Sequence, residues 1–104
     1  MNEEILADRR TLRILALTQT PRSAHDIADT AGFGIADVYR RLRRLSANGF
    51  VIVSRMRSQA TGRQVKFYIS TVSRVWISFM SGAPKMQTTS RTEIAIELAQ
   101  ETRT

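Results

Sequence analysis

The chain has 104 residues, enough for one domain with a modest core. Sixteen Lys and Arg against nine Asp and Glu leave a formal charge of +7, which favours a polyanionic partner, usually nucleic acid and less often an anionic membrane surface. Cysteine is absent and His25 is the lone histidine, which excludes disulfides, zinc-thiolate sites, thiol catalysis and a His-rich metal cluster.

Residues 3 to 18 place Ile5, Leu6, Leu12, Ile14, Leu15 and Leu17 among charged positions, with Glu3, Glu4 and Asp8 early and Arg9, Arg10 and Arg13 later. That order suits the helix dipole, and the spacing predicts a first helix with one buried stripe. Gln19, Thr20 and Pro21 end it. Ser23 with Asp26 resembles a capping box and opens a short second helix that turns Ala24, Ile27, Ala28 and Ala31 inward and closes at Gly32. Gly34 precedes a third helix in which Ile35, Val38, Leu42 and Leu45 share one face. Arg40 and Arg44 point away from that face, Arg41 and Arg43 lie on its flanks, and Asn48-Gly49 stops the helix.

After Gly49 the apolar period changes to 2. Residues 50 to 57, F-V-I-V-S-R-M-R, and 65 to 69, V-K-F-Y-I, predict two strands joined by a polar turn that contains Gly62. Three helices followed by a hairpin form the layout of a winged helix-turn-helix, so the expected fold is mainly α with a small β-hairpin. Residues 34 to 66 hold eight basic residues against the single acid Asp37, which accounts for the whole formal excess. A solvated helix face normally interleaves acids with bases, and this one hardly does.

The segments I-L-A-D-R-R-T-L-R-I-L-A-L-T, S-A-H-D-I-A-D-T-A-G-F, V-Y-R-R-L-R-R-L-S-A-N-G-F-V and G-R-Q-V-K-F-Y-I together resemble the ArsR-like winged-helix transcriptional regulators, with MarR-like regulators as near relatives. The resemblance covers residues 4 to about 70. It implies a dimeric DNA-binding regulator with the third helix in the major groove and the hairpin tip on an adjacent backbone or minor groove. The metal-sensing motifs of that family are missing, and Gly34, Ile35 and Ala36 stand where its hydroxyl residues are common.

Arg40, Arg43 and Arg44 are accordingly expected on the groove side, Arg41 and Arg22 on phosphate, and Arg63 at the hairpin tip. Ala36, Asp37 and Tyr39 complete the expected DNA-facing set. Asp37 either accepts from cytosine or pairs with Arg40 or Arg41 along the helix. Tyr39 either touches the duplex or covers the edge of the helix packing. His25 either senses pH or meets phosphate, or is an ordinary surface side chain.

The C-terminal third is ambiguous. Val72, Val75, Trp76, Phe79 and Met80 have helical spacing, while Val75, Ile77 and Phe79 also alternate as in a strand; Gly82 and Pro84 favour the helix. Residues 1–82 are expected as the DNA-binding domain and 83–104 as a linker, covering 83 to 90, and a last helix opened by Ser90 and Glu93. Val72, Val75, Trp76, Phe79, Met80, Ile94 and Leu98 are the expected dimer contacts. Residues 1 to 10 do not read as a signal peptide and no apolar run spans a bilayer, so a cytoplasmic protein without cofactor or metal is expected. No catalytic spacing or phosphate loop is present, and no enzyme is expected. The expected function is sequence-specific binding of double-stranded DNA as a dimeric transcription regulator. The alternative is a winged-helix module that binds RNA or a protein partner.

Overall fold

The computed structural model describes residues 3–78 and 85–90. A 3₁₀ turn, Glu3–Leu6, leads into α1 (Arg9–Leu17); β1 (Arg22–Ser23), α2 (Ala24–Ala31) and α3 (Ile35–Ala47) follow, and then β2 (Val51–Ser58), β3 (Gln64–Ser70), β4 (Val72–Ser78) and β5 (Lys85–Ser90). Among the described residues, three α-helices and two small antiparallel sheets make a mixed α/β fold, which the expectation of a mainly α chain fits only in part.

The first helix is shorter than its apolar pattern predicts. Asp8 takes extended backbone geometry and caps α1, accepting from the Arg10 amide at 3.4 Å and from the Thr11 hydroxyl at 2.9 Å. A cap of this kind starts a helix and leaves the preceding turn separate, although that turn still buries Leu6. Ser23 caps α2 as its sequence predicts, accepting from the Asp26 amide at 3.1 Å, and Gly32 closes α2 in the left-handed region with φ of 74°. Gly34 begins α3 without a side-chain cap.

Leu6, Ile14, Leu15, Leu17, Ile27, Val38, Leu42, Leu45, Phe50, Val51 and Val72 form one buried cluster. It joins the inner faces of the helices to the base of the sheet. Strand order in the larger sheet is β1-β3-β2, with Arg22 opposite Tyr68 and Val51 opposite Ser70. Val51 of β2 and Ser70 of β3 are buried and Tyr68 packs against the core, while the rest of β2 is exposed. The hairpin turn is closed by the Gly62 amide donating to the Gln59 carbonyl at 2.9 Å, and Gly62 sits at φ 79°.

Residues 72 to 78 form a strand, which settles their two-way spacing against the helix that Gly82 and Pro84 favour. A tight corner sets its direction: the Ser70 hydroxyl donates to the Val72 carbonyl at 2.8 Å and accepts from the Val72 amide at 3.0 Å. Gln19 from the end of α1 donates to the same carbonyl at 2.9 Å. The partner strand is β5, whose residues were expected as linker; Val72 lies opposite Ser90 and Trp76 opposite Gln87. Val75 and Trp76 thus alternate across a pleat instead of sharing a helix stripe. The expected last helix and the contacts Phe79, Met80, Ile94 and Leu98 lie outside the described residues.

Candidate nucleic-acid interface

α3 positions its arginines in three directions, because its fourth direction is occupied by Val38, Leu42 and Leu45, all buried. Arg41 points to α1. It pairs with Asp8, donates from Nε to both oxygens of Asp37 at 3.1 Å, and reaches the Thr11 hydroxyl at 3.0 Å. Only 18 % of its side chain is exposed. Arg40 points outward and also pairs with Asp37, which further accepts from Arg10 at 3.2 Å. Arg10 in turn lies over the Phe33 ring, 5.2 Å from its centroid. Asp37 therefore pairs along the helix, and it is the hub of an α1–α3 network. Arg43 and Arg44 are exposed and form no ion pair among the described residues.

A groove of about 360 Å³ is lined by Ser23, Ala24 and His25 at the start of α2, by Tyr39 of α3, and by Gln59, Arg63, Gln64, Val65, Lys66 and Tyr68 of the hairpin. The His25 and Tyr39 rings meet edge to face, 6.3 Å between centroids at 88°. An adjoining depression is lined by Tyr39, Arg43, Ser46, Val53, Lys66 and Tyr68. Tyr39, Lys66 and Tyr68 line both hollows, which have Arg63 on the first and Arg43 on the second. Burial holds the Tyr68 phenol above its ordinary pKa of 10.0, and the neighbouring Tyr39 phenol adds to the effect.

The expected residues divide along these lines. Ala36, Tyr39, Arg40, Arg43, Arg44 and Arg63 are exposed. Arg41 is turned into the network with α1, away from the surface that would meet phosphate. Arg22 bonds Asp26 at 2.9 Å, and its Nε is buried without a partner, so this guanidinium is already part of the α2 entry. Val72 is 5 % exposed and belongs to the chain's own core, Val75 packs against that core, and Trp76 is 40 % exposed. Within 72–78, Trp76 and part of Val75 thus remain open for contact with another chain.

Most lining residues were absent from the sequence-derived set, the polar Gln59, Gln64, Lys66 and Tyr68 of the hairpin among them. Lys66 and Tyr68 stand two apart in V-K-F-Y-I and so share a face of β3, a signal that alternation alone could have supplied. The charge pattern also extends further than the hairpin. No Asp or Glu occurs between Asp37 and Glu93, so none of the described strands carries an acid. Among the described residues no helix is long and apolar enough to cross a membrane. No family model matches the chain, and no curated protein matches it.

Proposed function

We propose that the chain is a winged helix-turn-helix protein that binds double-stranded DNA, as a dimeric transcription regulator similar to the ArsR-like proteins. The observation that carries this reading is the placement of Arg43 on α3 and of Arg63 and Lys66 on the hairpin around two adjoining hollows that no acid lines. The order α1, α2, α3, hairpin, with β1 as third strand, supports the fold reading. In this reading α3 enters the major groove. Arg44 and Arg40 face base edges, Arg43 and Lys66 hold the backbone that crosses the groove, and Arg63 at the tip reaches the adjacent backbone or minor groove. The positive end of α2, whose Asp26 amide is taken by Ser23, favours a phosphate beside His25. Arg41 and Asp37 orient α3 instead of touching the duplex, and Trp76 contributes to the contact between two copies.

A salt series tests the reading. Each phosphate neutralised adds about −0.9 to the slope of log affinity against log salt, so about four contacts lower affinity roughly 150-fold between about 50 and 200 mM. The expected result is a steep slope together with selection of a recurrent motif from randomised duplexes. A flat slope overturns DNA binding; a steep slope without any enriched motif overturns sequence-specific regulation. Equal affinity for double-stranded RNA favours the alternative partner.

A further inference from the structure

The face of the hairpin turned away from α3 carries a second basic feature. Residues paired across the strands share a face, so Val53 with Tyr68 and Met56 with Lys66 belong to the side that lines the depression against α3. Ile52 with Ile69, Arg55 with Phe67 and Arg57 with Val65 take the opposite side of the pleat, with Val65 also lining the groove beside the start of α2. There the guanidinium carbons of Arg55 and Arg57 lie over the same Phe67 ring, 4.6 and 5.9 Å from its centroid. Neither arginine has a carboxylate partner among the described residues.

We propose that this outer face binds the phosphates of duplex DNA flanking the segment that α3 contacts, and that Phe67 positions the two arginines for it. The inference rests on the reading of the chain as a DNA-binding protein. A guanidinium stacked on a ring gives one face to the aromatic and keeps its edge N–H donors free, with less side-chain freedom left to lose on binding. Two such groups, two residues apart on one strand, are separated by about 6.8 Å along it. Like charges at that spacing suit a chain of repeating anions better than a lone carboxylate on a protein partner. The described strands carry no acid that would compensate their charge.

The experiment is an anisotropy titration of the full chain over a salt series, with two duplexes of one central sequence, the longer extending about one helical turn further on each side. On the longer duplex, Arg55→Gln/Arg57→Gln reduces the magnitude of the salt slope by about 1.8, the loss of two phosphates, and Phe67→Leu loses a measurable part of it. On the shorter duplex both match the unmodified protein. Phe67→Leu has no further effect in the Arg55→Gln/Arg57→Gln background, whereas a ring with a purely structural role would still show one. Unchanged slopes on the longer duplex overturn this inference and leave DNA binding through α3 standing. Equal losses on both duplexes overturn the flanking placement, and the same losses on double-stranded RNA overturn the choice of DNA. A protein indifferent to duplex DNA overturns both this inference and the reading beneath it.

Discussion

Asp37 and Arg41 stand one turn apart on α3 and are joined by two bonds of 3.1 Å, from one guanidinium nitrogen to both carboxylate oxygens. The pair is also held from α1, through Asp8 and Thr11 on Arg41 and through Arg10 on Asp37. A helix that presents arginines to a groove must be fixed in rotation, and this network fixes α3 against α1 on the side opposite the hairpin.

Removing Arg41 takes one partner from each of two carboxylates, although Asp37 keeps Arg10 and Arg40 and Asp8 keeps Thr11. Arg41→Ala is expected to lower stability by about 1 to 2 kcal/mol, through lost packing and the lost link between α1 and α3. Arg40→Ala, whose side chain is 65 % exposed, should stay within about 0.5 kcal/mol. Urea unfolding of both variants checks this, and equal losses would show that Arg41 is no more integral than its neighbour.

Reading and holding of DNA should separate by position. Arg44→Ala is expected to cost about 1 to 3 kcal/mol on the preferred site and much less on random duplexes, relaxing specificity. Arg63→Ala should weaken all sequences alike and reduce the salt slope by about 0.9. Competition titrations against random DNA distinguish the two. The reverse pattern would make the hairpin the reader and α3 the anchor.

Tyr68 adds an alkaline limit. Its folded pKa is raised above its unfolded value, so the folded state keeps a proton that the unfolded chain has released, and stability present below pH 10.0 falls as pH rises beyond it. Thermal melts across that range should show the decline, and Tyr68→Phe should flatten it. A decline of equal steepness in the Phe variant would assign it to other groups.

Trp76 is the single tryptophan and is 40 % exposed on β4. If two copies meet there, its emission should shift to shorter wavelength as concentration rises, in step with dimer mass in sedimentation. Trp76→Lys should give a monomer with little change in unfolding free energy. A monomer at tens of micromolar with a constant spectrum counts against the dimer.

Much of α3 and the hairpin is legible in the sequence because each has a single strong period, 3.6 and then 2, bounded by glycine. The second sheet is less so. V-S-R-V-W-I-S satisfies both periods, and K-M-Q-T-T-S reads as a polar linker although its threonines are β-branched. What decides both segments is their mutual pairing, together with the Ser70 corner, neither of which is a local signal. The same holds for the arginines. Along α3 Arg41 and Arg43 are both flank positions, and contacts with Asp8 and Thr11 on the α1 side, brought close by the fold, set Arg41 apart. The break before α1 was hidden because an N-cap aspartate inside a run of charged residues resembles one more helical charge.

The pairing of β2 with β3 slips by one position between Val53 and Arg55. An unbroken ladder would set Ser54 against Phe67, Arg55 against Lys66 and Arg57 against Gln64, reversing which side of the sheet each arginine occupies. One inserted residue thus allocates two positive charges between the two sides of the hairpin. Deleting Ser54 would straighten the ladder with net charge and turn sequence intact, and would keep Arg55 opposite Phe67 and Arg57 opposite Val65, so the charge map would outlast the irregularity that now sets it.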